Sequence, residues 1–222
     1  MPERVTVIIP SLNEAPTIAA AIDSAFAASA AEVLVADGGS EDDTISVAAS
    51  RGARVLTGPR VRASQLNAAA REAASEVLVF LHADTLLPPG ACAAAAEALA
   101  GGADFGGFRL RFAEEAPKLR LAAWMINLRT RLTRRPWGDQ AQFVRREHFF
   151  ATGGFRELAI LEDYELASRM RRRVLLPLTV TTSGRRFLQK GVLRTAAINW
   201  RIIIAWRLGA DAAKLARLYR GR

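Results

Sequence analysis

Carboxylates, amides and small residues collect at a few short stretches of this chain, each directly after a run of aliphatic or β-branched residues. The first is Pro10-Ser11-Leu12-Asn13-Glu14, whose amide and carboxylate could accept hydrogen bonds from a base or a ribose, while Asn13 could equally cap the helix that follows. The second is Asp37-Gly38-Gly39-Ser40. Its glycines and Ser40, followed by acids, make a good helix start, but they do not explain Asp37, a carboxylate closing a buried strand where a base N–H or a ribose hydroxyl would suit it. Arg60–Arg62 forms a third loop. The fourth, His82-Ala83-Asp84, ends the most apolar strand. Asp84 is placed there to hold Mg²⁺ or Mn²⁺ against a diphosphate, and Mn²⁺ also accepts imidazole, so His82 is either a second ligand or a strand-end histidine with a structural partner.

Those loops need a scaffold that brings strand ends together. Val5–Pro10, Glu32–Ala36, Arg54–Thr57 and Glu76–Leu81 read as strands, and Thr17–Ala28, Asp43–Ser50 and Ala63–Ala74 as the helices between them. This alternation implies an α/β fold with a Rossmann-like, mostly parallel sheet and flanking helices. Ligands of such sheets bind beyond the carboxyl ends of the strands, where all four loops lie. The turn after the first strand has no glycine, which argues against a dinucleotide site of the G-x-G-x-x-G kind and against a nucleotidylyltransferase loop. From Gly101 onward the pattern changes. Asp104–Phe112 and Ala141–Arg145 read as strands, Lys118–Leu132 and Leu161–Arg172 as helices, and Val192–Tyr219 as a helical C-terminal extension broken at Gly209.

The 222 residues are half apolar and suffice for one domain with a substantial core. A single cysteine, Cys92, excludes an internal disulfide framework and a cysteine zinc site, and implies a reducing, cytoplasmic setting. No signal-peptide pattern opens the chain, and no charge-free apolar run approaches the roughly 20 residues of a spanning helix. The formal charge of +9 is an average over unlike halves: residues 1–100 hold 6 basic and 12 acidic residues, residues 101–222 hold 25 and 10. A nucleic-acid partner is disfavoured, because no RNA-binding motif is present and the aromatic residues are not interleaved with the basic ones.

Together, Pro10-x-x-Asn13-Glu14, Asp37-Gly38-Gly39-Ser40-x-Asp42-x-Thr44, Arg60 with Gln65 and Asn67, and His82-Ala83-Asp84 resemble the inverting family 2 glycosyltransferases of the GT-A fold, over roughly residues 4–175. Leu81-His82-Ala83-Asp84-Thr85 and Gly138-Asp139-Gln140 are similar to a compact bacterial subgroup associated with arsenosugar biosynthesis or carotenoid glycosylation. The resemblance implies a nucleotide-sugar donor, a hydroxyl acceptor and a divalent metal, Mn²⁺ or Mg²⁺. It places Pro10, Asn13, Glu14, Asp37, Gly38, Gly39, Arg60, Gln65, Asn67 and Asp84 around the donor. Asp84 matches the last Asp of the family's metal-binding D-x-D, and His82 stands where the first Asp would be. No histidine follows Asp163, so either His82 or water and the diphosphate complete the metal shell. The catalytic base would lie in Glu162-Asp163, after the Gly153-Gly154-Phe155 turn, with Asp163 as base and Glu162 as its neighbour; the same pair could simply open a helix. Trp137-Gly138-Asp139-Gln140 corresponds to the acceptor side, with Asp139 and Gln140 bonding sugar hydroxyls and Trp137 offering a flat face, or is an ordinary turn with a packed Trp. Arg185 falls in the segment expected to cover the diphosphate.

On this reading the chain is one domain: a donor half (1–100), an acceptor and catalytic half (101–190) and the extension (191–222). Of 31 basic residues 28 are Arg, which suits bidentate phosphate contacts. Lys118–Leu132 and Val192–Leu208 are largely apolar helices with interspersed Arg, and either pack into the core or a homodimer or lie peripherally on the inner face of a membrane.

Overall fold

The computed structural model describes residues 3–220. Strands β1 (Val5–Ser11), β2 (Glu32–Asp37), β3 (Arg54–Thr57) and β4 (Val77–Phe80) alternate with helices α1 (Ala15–Ala27), α2 (Thr44–Ser50) and α3 (Arg62–Glu72). Then follow β5 (Thr85–Leu86), α4 (Ala91–Ala100), β6 (Phe105–Phe112) and α5 (Pro117–Thr133). A 3₁₀ turn at Gly138–Gln140 leads into β7 (Gln142–Arg145), α6 (Arg146–Ala151), α7 (Glu162–Arg169) and β8 (Arg173–Thr182). Three helices complete the chain: α8 (Arg185–Lys190), α9 (Val192–Arg207) and α10 (Ala212–Arg220).

One eight-stranded sheet runs β3-β2-β1-β4-β7-β6-β8-β5. The first four strands and the β6/β8 pair are parallel, while β7 and β5 run antiparallel to their neighbours. Both faces are covered. Val7, Ile9, Val79 and Leu81 point into one core with α1 and α4, and Ile8, Leu78 and Phe80 into another with α3, α6 and α7. This explains the near-continuous aliphatic runs of β1 and β4.

The expected elements form, with ends shifted by at most three residues, and five more appear: β5, α4, α6, α8 and β8. Strand β8 contains Pro177, which cannot donate to a ladder. It is accommodated where the β6/β8 register jumps between Phe108↔Leu176 and Arg109↔Thr179, so that the proline falls in a bulge. Helix α7 stops at Arg169 instead of running to Arg172. Arg172 lies beyond the helix, and its guanidinium and backbone N–H bind the Asp104 carboxylate at the start of β6.

Beyond Gly106, β7 no longer pairs with β6, which would leave Leu110 with unsatisfied backbone groups. Asn127 of α5 supplies both partners: its Oδ1 accepts from the Leu110 N–H and its Nδ2 donates to the Leu110 carbonyl, each at 2.9 Å. One amide thereby fastens α5 to the sheet. Asn127→Ala should lower unfolding stability by roughly 1–3 kcal/mol, read by denaturant titration, whereas Thr133→Ala at the exposed helix end should leave it within about 0.5 kcal/mol.

Candidate functional site

The β1 and β2 loops are sewn into one wall. Asn13, in a left-handed conformation with φ 56°, donates its N–H to Ser40 Oγ and accepts from the Glu41 N–H through Oδ1. The Glu14 N–H bonds Thr44 Oγ1, and the Gly38 N–H bonds the Ser11 carbonyl. Asn13 is therefore not the cap of α1; that place belongs to Glu14, which makes no side-chain capping bond.

Asp37 departs from its expected task. It is fully buried, with Oδ2 accepting from the Gly39 and Ser40 N–H groups and Oδ1 from the Ser40 and Ser11 hydroxyls. Burial opposes its charge, but bonds from Ser40, Ser11 and Gly39 outweigh this and hold the carboxyl below its ordinary value. The carboxylate builds the loop instead of presenting itself to a ligand. Beside it, Gly38 leaves a space that the Gln65 amide fills: a Cβ there would fall 2.2 Å from Gln65 Nε2. Gln65 thus reaches the wall that Asp37 was expected to occupy.

Pro10, Ser11, Leu12, Glu14, Arg60, Arg62, Gln65, His82, Ala83 and Asp84 line a cleft of about 280 Å³. Arg60 sits at its rim, paired with Glu41 at 3.2 Å. Asp84 is pinned by the short strand β5, where the Thr85 hydroxyl meets that of Thr182 at 2.8 Å. Three residues beyond β8, Arg185 Nη2 stands 3.9 Å from both Asp84 Oδ2 and Glu14 Oε2. Burial raises the Asp84 pKa, with Arg185 and Thr85 opposing. Two carboxylates converging on one guanidinium form a place that suits a cation. Among the described residues no three His, Cys, Asp or Glu side chains cluster as a metal cage, so a Mg²⁺ or Mn²⁺ ion here would draw further ligands from substrate or water.

His82 Nε2 is buried without a hydrogen-bond partner, and burial, then the charge of Arg62, pushes its pKa well below the ordinary value, leaving a neutral imidazole. It faces Gly138 and the acid pair: a Cβ on Gly138 would lie 2.6 Å from His82 Nε2 and 3.0 Å from Asp163 Oδ2. Only a glycine lets these three elements meet.

Asp163 and Glu162 diverge, as adjacent residues at a helix start should. Glu162 is buried, with Oε1 3.4 Å from Arg62 Nε; burial raises its pKa against the attraction of Arg62. Asp163 accepts from the Gly138 N–H through Oδ2 at 2.5 Å and from the Tyr164 N–H through Oδ1 at 2.7 Å. Gln142 of β7 fixes the same junction, donating to the Asp163 and Pro136 carbonyls. Gln142 is not singled out by the sequence, which shows only its strand, and Arg62 is read there only as one end of the Arg60–Arg62 loop.

Asn67, expected near the donor, serves the acid pair instead. Its amide donates to the Phe155 carbonyl and accepts from the Phe155 N–H, clamping the Gly153-Gly154-Phe155 turn that launches α7. Gly154 has φ 66°, and a Cβ on it would meet Asn67 Oδ1 at 2.7 Å. Phe80, Phe149 and Phe155 pack ring against ring beneath, Phe155 edge-on to the other two, tying this turn to the strand that leads to His82 and Asp84.

Gln140 is likewise internal. It is fully buried, its Oε1 accepting from Thr130, Arg129 and the Trp137 N–H and its Nε2 donating to the Phe108 carbonyl, so it holds the 3₁₀ turn against β6 and α5. One face of Trp137 carries the Arg129 guanidinium at 3.6 Å. Asp139 differs from both: its Oδ1 has no partner, and burial raises its pKa to about 6, with Arg129 opposing and Asp163 reinforcing. The same burial brings Arg129 down to about 10.

The Glycosyl transferase family 2 model matches residues 6–158. In fold, the chain is similar to a mannosyltransferase from Pyrobaculum calidifontis in complex with GDP-Man and Mn²⁺ (TM-score 0.65, 20% identity, 98% of this chain and 70% of that one). It is also similar to glucosyl-3-phosphoglycerate synthase from Mycobacterium tuberculosis in complex with Mn²⁺, UDP and glucosyl-3-phosphoglycerate (0.60, 21%, 94% and 81%). A third likeness is to mannosyl-3-phosphoglycerate synthase from Rubrobacter xylanophilus (0.58, 20%, 94% and 76%). No curated protein matches the chain.

The Asp139 shift has a thermodynamic signature. A carboxyl raised from 3.8 to about 6 favours folding while both states are protonated, below pH 3.8, and that contribution is lost as pH rises through 6. Between pH 4 and pH 7, the unfolding free energy of the unaltered protein should therefore fall relative to that of Asp139→Asn by about 2–3 kcal/mol. Parallel pH profiles in denaturant melts would show that Asp139 titrates as an ordinary carboxyl.

Proposed function

The chain belongs to the family 2 glycosyl transferases, and from that premise we propose that it moves a hexosyl group from a nucleoside-diphosphate sugar to a hydroxyl acceptor, a lipid-linked molecule or a small metabolite, with inversion at the anomeric carbon. The observation that carries this reading is the meeting of an open cleft, a cation-suited pair of carboxylates and a separately oriented carboxylate at the carboxyl ends of the strands.

In this reading the donor lies in the cleft walled by Pro10, Ser11, Leu12 and Glu14, with Gln65 and Arg60 toward the base and Arg62 deeper in. Gln65 has both a donor and an acceptor to offer a base edge, which a carboxylate does not. Asp84, with Glu14 beside it, would hold Mn²⁺ or Mg²⁺. The bound ion would neutralise charge growing on the departing diphosphate. Arg185, already at these carboxylates, would turn to the phosphates once the ion neutralises its present partners.

Asp163 is the general base. The Gly138 and Tyr164 N–H groups fix its carboxylate in orientation, and Glu162, paired to Arg62, is kept from competing for that task. The acceptor hydroxyl attacks the anomeric carbon from the face opposite the diphosphate and gives its proton to Asp163. Asp139, with an unpartnered buried oxygen, would accept from an acceptor hydroxyl, while Trp137 and Gly138 shape its seat.

Asp163→Asn should lower transfer by about 10²–10⁴-fold while donor affinity stays within about twofold, measured by product formation and by calorimetry on the same preparation. Turnover at the unaltered rate would remove Asp163 as the base.

A further inference from the structure

The outer face of α5 and α9 goes beyond the transfer chemistry. On α5, Leu121, Trp124, Met125, Leu128 and Leu132 are all exposed, and their spacing of 3, 4, 7 and 11 residues puts them on one stripe opposite the buried Leu119, Ala122 and Ala123. On α9, Leu193, Trp200, Ile204 and its cap Leu208 form a second exposed stripe, opposite the buried Thr195, Ile202 and Ile203. The two helices touch each other. Trp124 is 59% exposed and Trp200 55%, values that mark a docking face rather than scattered surface residues.

Charge decides what covers this face. Helices α5, α8, α9 and α10 contain thirteen Lys and Arg residues and no Asp or Glu. Arg120 and Arg131 on α5, and Arg194 and Arg201 on α9, are exposed beside the stripes. A symmetric dimer through this face would set the patch against itself, cation against cation, with no carboxylate on these helices to pair them. Apolar stripes with indole rings and a carboxylate-free basic border instead match an interface of acyl chains beneath anionic headgroups. No helix among the described residues is long and apolar enough to cross a membrane.

We infer that the α5/α9 face docks on an anionic lipid surface, lying in its plane. The catalytic end of the molecule comes with it. Arg207, at the end of α9, donates from Nε to the Tyr164 hydroxyl beside Asp163, and Arg129 of α5 covers Trp137. The proposed transferase site is thereby linked to the two docking helices.

The test is cosedimentation of the full chain with vesicles of phosphatidylglycerol and phosphatidylcholine, against vesicles of phosphatidylcholine alone, combined with tryptophan emission. The expected result is binding to the anionic vesicles at least about tenfold tighter than to the neutral ones, weakened as salt is raised, with a blue shift of the emission. The triple variant Leu121→Gln, Trp124→Gln, Leu128→Gln and the pair Arg194→Glu, Arg201→Glu should each lower that affinity by about tenfold or more. Both variants should hydrolyse nucleotide-sugar donors without vesicles as the unaltered protein does, which separates loss of docking from loss of the site. The inference is overturned if the full chain stays in the supernatant with anionic vesicles at low salt. It is equally overturned if the apolar variant binds as well as the unaltered chain, or if its substitutions convert a dimer to a monomer in analytical ultracentrifugation.

Discussion

Carboxylates that repel one another gather at one end of the sheet in this molecule, and the surrounding structure is arranged to keep them there. Asp84, Asp139, Glu162 and Asp163 arrive from three separate segments. Burial lifts the pKa of the first three, so each is held at a cost in solvation. Arginines reduce that cost: Arg185 at Asp84, Arg62 at Glu162 and Arg129 toward Asp139. Arginine is suited to such places because its guanidinium remains charged under desolvation that would neutralise an ammonium. Part of the +15 of the second half thus lies against these carboxylates, and much of the remainder lies on four helices without a carboxylate.

The backbone around the cleft is held by amide side chains acting at a distance. Asn67 clamps the turn before α7, Gln142 joins the loop before the 3₁₀ turn to α7, Gln140 fastens that turn to β6, and Asn127 fastens α5 to β6. Each satisfies buried backbone groups that would otherwise be orphaned where strands end. Glycines do the complementary work of removing obstacles. Without a side chain at Gly138, His82, the acid pair and the 3₁₀ turn can close on one another; at Gly38 the same absence admits Gln65.

This division explains what could be read from the residues alone. Strands β1 and β4 were legible because strands buried on both faces leave unbroken aliphatic runs, and the loops after them because polar residues cannot continue such runs. The Glu162-Asp163 pair was legible as the opening of a helix after a Gly-Gly-Phe turn. Strand β8 was not, because Pro177 contradicts a strand until the bulge is seen, and the arginines at its start imitate a helix end. The roles of Asp37, Asn67 and Gln140 were not legible either. A carboxylate or amide near a site has the same composition whether it faces a ligand or a backbone group, and Asn67 and its partner Phe155 are 88 residues apart.

The central claim is that the cleft between the β1 loop and Asp84 receives a nucleoside-diphosphate sugar with a divalent cation. Isothermal calorimetry over a panel of UDP- and GDP-sugars, with and without Mn²⁺ and with Asp84→Asn alongside, tests it most directly. The account predicts that at least one donor binds, that binding needs the cation, and that Asp84→Asn weakens it by about tenfold or more. Absence of binding across the panel with Mn²⁺ and with Mg²⁺, or binding indifferent to both the cation and Asp84, would contradict it.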